Sequence, residues 1–162
     1  MINLDCHVDV NLQPGFNIAK VFLLNGEKFM FCHNSDNGKT SIWNLDKGGL
    51  PVLDKTWSKG WTNINFYEFS GEVYFFHQKT DGGLARINKL NYDNIMSNNN
   101  MGEKVYESTW SSGWTATEFF VHNNIVYFLH YKKETGLARL NAAKEGGSVG
   151  TKIYEKTWSK GY

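Results

Sequence analysis

An internal repeat of about fifty residues constrains the fold of this chain more than any other feature. The sequence KTWSKG occupies residues 55–60 and recurs at 156–161, and the related STWSSGWT occupies 108–115. Trp57, Trp110 and Trp158 are therefore equivalent, and the aromatic residues that follow each glycine are Trp61, Trp114 and Tyr162. A period of this length indicates stacked supersecondary units that share one core.

The interior of the repeat also recurs. The sequence GLAR stands at 83–86 and 136–139, and Arg86 and Arg139 have no counterpart in the first copy, where Ile42 or a neighbour takes their place. An apolar run precedes GLAR in the second and third copies, at 72–79 and 125–132, and a similar run occupies 27–34. Each run ends near a histidine, so we take His33, His77 and His130 as equivalent.

Each copy divides into four short apolar runs separated by turn residues, which predicts an all-β chain. In the second copy the strands are expected near 62–69, 72–78, 84–90 and 104–110. Residues 73–76 are apolar without alternation, which indicates burial on both faces of the strand. Stacked four-stranded propeller blades bury their strands in this way. The polar stretch 91–102 reads as a long mobile loop.

We therefore predict a single domain, 1–162, of three blade-like repeats at about 16–60, 61–113 and 114–162. A weaker copy of the motif, NLQPGFN, stands at 11–17. The segment near 7–13 is predicted to form an extra N-terminal strand. Three blades are too few for a closed propeller, and open sheet edges invite pairing. One solution is a head-to-tail homodimer with six blades; the alternative is a β-trefoil, which has three repeats of four strands and closes as a monomer.

The pattern of a Gly-Trp pair opening a strand, a glycine turn and an aromatic strand resembles the blades of tachylectin-2-type β-propeller lectins. The resemblance covers all three copies as a pattern. It implies a propeller fold and carbohydrate binding. That family has five blades, so the blade number and most loop residues depart from it, and neither its sugar preference nor its binding residues are carried over.

Charge and composition exclude several other classes of protein. The chain has 17 basic and 16 acidic residues without a like-charged block, so we expect no nucleic-acid partner. No apolar run reaches the length that spans a bilayer, and the N-terminus does not resemble a signal peptide. We expect a soluble, cytoplasmic protein by default, with non-standard release left open. Two cysteines, Cys6 and Cys32, make no disulfide framework.

Motifs for catalysis are missing from the sequence. GxSxG, HExxH and CxxC do not occur, and the acidic residues lie mostly in turns that repeat with the copies. A catalytic site is normally unique, whereas chemistry spread over several copies is typical of equivalent binding sites. We therefore predict a protein that is not an enzyme and has no cofactor and no metal; a hydrolase would need a unique carboxylate pair or triad.

The repeated polar and aromatic residues define the candidate sites. Each histidine could bond a ligand hydroxyl, join a metal on a threefold axis, or bond a nearby carbonyl. Each arginine could bind a sugar or the main chain of a neighbouring blade. Each tryptophan could stack on a sugar ring or pack between blades.

We predict a lectin-like module with up to three weak, equivalent carbohydrate sites. The alternative is a structural or protein-interaction module. The candidate ligand-binding residues are Trp57, Trp61, His77, Arg86, Trp110, Trp114, His130 and Arg139.

Overall fold

Three four-stranded antiparallel sheets make up the part of the chain that the structure describes, residues 14–143 and 149–159 of a computed structural model. The first blade contains β1 (Ile18–Leu24), β2 (Glu27–His33), β3 (Lys39–Asn44) and β4 (Leu53–Thr56). The second contains β5 (Trp61–Phe69), β6 (Glu72–Lys79), β7 (Leu84–Leu90) and β8 (Gly102–Thr109). The third contains β9 (Ala116–His122), β10 (Ile125–Lys132), β11 (Leu137–Ala143) and β12 (Val149–Thr157). The predicted strand at 7–13 lies outside the described residues.

Each sheet is a meander whose strands pair in chain order, and the described strands of one sheet pair only with one another. This confirms the predicted all-β, blade-like repeats. The β-trefoil alternative is wrong, because a trefoil barrel needs hydrogen-bonded strands from different repeats. The inner strands β1, β5 and β9 lie side by side in that order, so the blades stack as an arc.

No helix in the described ranges has the length and apolar character needed to cross a membrane.

The hairpins between the first two strands of each blade fix the register of the repeats. Their turns are Asn25-Gly26, Ser70-Gly71 and Asn123-Asn124, and all six residues have positive φ. Two-residue turns of this conformation match the twist of a hairpin, and Asn and Gly tolerate it best. Glu27, Glu72 and Ile125 therefore start the second strand of each blade at the same position.

Counting from these turns corrects the predicted equivalence of the histidines. Cys32 pairs with Ser41, just as His77 pairs with Arg86 and His130 with Arg139. Cys32 is thus the counterpart of the two later histidines, and His33 lies one residue further along, on the opposite face of its strand. The counterpart of the arginines is Ser41, next to the predicted Ile42.

Aromatic stacking joins each blade to the next. Phe22 of the first blade stacks on Phe66 of the second, with ring centroids 4.2 Å apart, and Tyr67 of the second stacks on Phe119 of the third at 4.6 Å. Phe22 and Tyr67 occupy equivalent positions, two residues before the end of their strands. We name the side of a blade that carries Phe22 or Tyr67 its forward face and the opposite side its rear face.

The predicted burial of both faces holds in two blades and fails in the third. Residues 29–33 of β2 and 75–78 of β6 are buried without interruption. In β10, burial alternates: Val126, Phe128 and His130 are buried, whereas Tyr127, Leu129 and Tyr131 are half-buried. The half-buried set lies on the forward face of the third blade, where the described chain supplies no further blade.

The stretch 91–102 is not the structureless loop that we predicted. It holds a short helix, α1 (Tyr92–Met96), whose N-cap is Asn91, and Ile95 is fully buried in the core. The Tyr92 hydroxyl donates to Glu27, and Asn98 accepts from the main chain of Asp54. Polar composition predicted a solvated loop, but Ile95 and Met101 are buried in the core, and Tyr92 and Met96 pack against it.

Gly83 lies where the third and fourth strands of the second blade come into close contact, and a substitution there tests that contact. It has a φ of +69°, and a Cβ there would lie 1.9 Å from the Trp110 carbonyl oxygen. We expect Gly83→Ala to lower the free energy of unfolding by at least about 2 kcal/mol, because backbone would have to move.

Chemical denaturation measures this effect, with Gly82→Ala as the matched control, since no atom lies within 4 Å of a Cβ at Gly82. Equal stability of the two variants would contradict the tight contact.

Candidate functional site: two clefts between blades

An open cleft of about 410 Å³ lies where the first blade meets the second. Its first-blade wall is the segment 55–58, which includes the end of β4 and the next two residues, Trp57 and Ser58. Its second-blade wall includes Trp61, Phe75, His77, Arg86, Asn88 and Lys104, and the 99–102 segment after α1 closes one side. All four residues that the sequence predicted in this part of the chain therefore line one cleft.

A second cleft of about 330 Å³ lies between the second and third blades. It is lined by Trp110, Ser111, Trp114, His130, Arg139, Asn141 and Lys152. Each of these residues occupies the same repeat position as a residue of the first cleft, so the chain contains one site twice. The other four predicted residues, Trp110, Trp114, His130 and Arg139, meet here.

The two tryptophans of each cleft differ in role. Trp57 and Trp110 are half-buried and form part of the cleft wall. Trp61 and Trp114 are buried, and their indole N–H groups donate to Ser58 and Ser111. Cationic side chains cover their rings: Lys79 and Arg86 on Trp61, Lys132 and Arg139 on Trp114. Trp61 and Trp114 therefore form the floor of the clefts, and only Trp57 and Trp110 offer an accessible ring.

The cleft histidines are buried and neutral. Burial lowers the pKa of His77 to about 3, aided by the nearby Arg86 charge, and lowers that of His130 to about 4. His130 shares a hydrogen bond of 3.0 Å with Asn141 through Nε2. Within the described chain, Nδ1 of each histidine is buried and has no hydrogen-bond partner. Both rings therefore form a neutral, buried part of the cleft lining, with Nδ1 beneath the cleft surface.

The cleft arginines are half-exposed and held in place by an acidic partner. Arg86 pairs through Nε with Glu107, and Arg139 pairs in the same way with Glu155. These contacts lower the pKa of both glutamates, so the carboxylates are charged at neutral pH. A guanidinium has five N–H donors, and an Nε contact leaves the terminal nitrogens for other acceptors.

Among the described residues, the first repeat lacks the polar side chains of such a site. Cys32 stands at the histidine position, and Ser41 stands at the arginine position, where its hydroxyl donates to Asp54 over 2.7 Å. At the other end of the arc, Trp158 is equivalent to Trp57 and Trp110 but faces no described blade. The prediction allowed up to three sites, and the described part of the chain contains two complete clefts, both formed between repeats.

The surroundings of the two cleft histidines are polar on one side only. In the described residues neither cleft histidine bonds a main-chain carbonyl, and no three His, Cys, Asp or Glu side chains are grouped as metal ligands would be. The asparagines Asn88 and Asn141 were missed by the sequence reasoning. They recur two residues after each arginine, a signal as regular as GLAR itself.

Comparison with known proteins supports the fold. No family model and no curated protein matches the sequence. A solved structure titled "Dihydro-heme d1 dehydrogenase NirN in complex with DHE" matches with a TM-score of 0.52 and 10% identity, over 83% of this chain and 28% of that one. NirN is a propeller protein, so the match supports propeller-type blades. This chain spans about a quarter of the protein that it matches.

The same comparison corrects the prediction that the chain is not an enzyme. The solved protein is named a dehydrogenase, so blades of this kind occur in an enzyme, and their repetition does not argue against catalysis. At 10% identity the likeness concerns the fold, and the chemistry of NirN is not transferred to this chain.

Buried neutral histidines make stability depend on pH. The folded-state pKa values of His33, His77 and His130 are about 4, 3 and 4, below the ordinary 6.5. The unfolded chain therefore binds protons that the folded chain does not, and the free energy of unfolding falls as the pH drops below 6.5. We expect each histidine to contribute up to roughly 1.4 kcal/mol per pH unit.

Urea denaturation between pH 7 and pH 5 measures this slope above the range in which carboxylates titrate. His77→Gln should reduce the slope by about the contribution of one proton. An unfolding free energy that stays constant across this interval would contradict the burial of neutral imidazoles.

Proposed function

We propose that the chain is a carbohydrate-binding, lectin-like module with two equivalent binding clefts. The observation that supports this most strongly is that a half-buried tryptophan, a neutral histidine, an arginine and an asparagine line one open cleft, and that the same arrangement occurs twice. Ligand clefts typically combine an apolar wall with a few fixed polar groups that set orientation.

The apolar wall suits one face of a sugar ring. Trp57 is held from behind by Phe31 and Phe75, whose ring centroids lie 5.6 and 5.8 Å from its own. Trp110 is held in the same way by Phe76 and Phe128, at 5.5 and 5.6 Å. Rings fixed by packing lose little side-chain entropy when a ligand stacks on them, which favours binding.

The polar groups suit hydroxyl and carbonyl oxygens. The Arg86 and Arg139 guanidiniums are oriented by their Nε contacts with glutamate, which directs their remaining N–H donors as a rigid fork. His77 and His130 add neutral imidazole rings to the lining, and Asn88 and Asn141 lie at the equivalent place in each cleft. A saccharide presents neighbouring hydroxyl groups that such mixed donors and acceptors can bind together.

Two clefts on one chain would raise the apparent affinity for a surface that carries many glycans. Once one cleft is occupied, binding at the other becomes intramolecular, so weak individual sites give a long-lived complex. The first cleft has an extra wall from residues 99–102, so its affinity and selectivity are expected to differ from those of the second.

A glycan array followed by calorimetry with the best soluble oligosaccharide tests the proposal. We expect two sites per chain for the unaltered protein, one for Arg86→Gln or Arg139→Gln, and a loss of at least about tenfold in affinity at both clefts for the double variant. Arginine is chosen because its exposed ion pair contributes little to folding stability.

Lys89→Gln is the matched control, since it removes an ion pair with Glu72 outside both clefts. Its affinity and stoichiometry should equal those of the unaltered chain. The proposal fails if no glycan binds, or if the double arginine variant binds a glycan as well as Lys89→Gln does.

A further inference from the structure

At each end of the blade arc, residues stand at the positions that join the blades internally but have no partner in the described chain. At the inner strands, a forward-face aromatic of one blade stacks on a rear-face side chain of the next: Phe22 on Phe66, and Tyr67 on Phe119. Phe120 occupies the third forward position, two residues before the end of β9. Val21 occupies the rear position of the first blade, equivalent to Phe66 and Phe119.

Exposure shows that both end positions lack a partner in the described chain. Phe22 and Tyr67 are 5% and 8% exposed, whereas Phe120 is 46% exposed. Phe120 still stacks on Tyr127 at 5.2 Å, just as Tyr67 stacks on Tyr74 at 5.2 Å, so its ring is already arranged as in an internal junction. The arc is therefore open at a surface that has the geometry of a blade junction.

Other residues extend the two open surfaces. On the forward face of the third blade, Trp158 is 40% exposed, and Leu129 and Tyr131 are half-buried. On the rear face of the first blade, Val21 and Leu23 project from β1 on the side opposite Phe22 and are 65% and 59% exposed. Met30 and Cys32 on that rear face are already buried, so its open part is the inner strand.

We propose that a second copy of this chain covers these surfaces head to tail, with the third blade of each copy against the first blade of the other. At both internal junctions of the arc the forward face of one blade accepts the rear face of the next. In the described chain, the forward face of the third blade and the inner strand of the first blade present the exposed surfaces of these two types. Two identical junctions related by a twofold axis would close six blades, within the four to eight of closed propellers.

The new junctions would contain no additional ligand cleft. The first blade has Cys32 and Ser41, both already buried, at the positions where the internal clefts have a histidine and an arginine. The closed dimer would hence have four complete clefts, two per chain.

Sedimentation equilibrium over a wide concentration range, with circular dichroism to confirm folding, tests the assembly. We expect the unaltered chain to be a dimer, and Phe120→Glu and Val21→Lys each to weaken the dimer at least about tenfold. Combining both substitutions in one chain should restore dimerisation, because each junction then pairs a lysine with a glutamate. Leu50→Glu is the control: Leu50 is exposed in the loop between β3 and β4, and its replacement should leave the dimer intact.

Three results would overturn the proposal. A strict monomer at all concentrations would mean that a second copy does not cover these faces. A dimer that Phe120→Glu abolishes and Val21→Lys leaves intact would mean that two third blades meet each other. Assemblies that keep growing with concentration would mean that the junction does not close a ring.

Discussion

Stacking of aromatic side chains between neighbouring blades is the interaction on which the rest of the structure depends. Each sheet buries its faces only when another sheet covers them, and the Phe22–Phe66 and Tyr67–Phe119 contacts bring the inner strands together. An aromatic side chain buries roughly 150–250 Å², so a few such pairs supply several kcal/mol at each junction. Trp57 and Trp110 extend the contact outward, and the clefts open beside them.

Placing the clefts at junctions has a consequence for function. Neither cleft belongs to one repeat, because the accessible tryptophan comes from the preceding blade and the histidine, arginine and asparagine come from the following one. Two complete clefts thus need three blades. The first repeat, with Cys32 and Ser41 at the polar positions, contributes a wall and no polar site of its own.

Much of this arrangement could be predicted from the sequence. The KTWSKG and GLAR repeats located the strands and the eight candidate residues, which the structure gathers into two clefts. The register was harder to predict, because in the first copy a histidine lies next to the true position, and only the hairpin turns show that Cys32 is the counterpart. The repeat also does not show which tryptophan is accessible: Trp57 and Trp61 look alike in sequence, yet Trp57 has a half-buried ring in the cleft wall, whereas Trp61 is buried in the cleft floor beneath cationic side chains. The helix α1 was missed because the apolar residues that anchor its segment, Ile95 and Met101 among them, are isolated within a polar stretch.

The most direct test of the two-cleft account is a nuclear magnetic resonance titration that follows the indole N–H signals of the tryptophans as an array-selected oligosaccharide is added. We expect the Trp57 and Trp110 signals to shift with ligand concentration, while those of Trp43 and Trp158, which line neither cleft, keep their positions. Shifts confined to Trp43 or Trp158, with Trp57 and Trp110 unchanged, would contradict it.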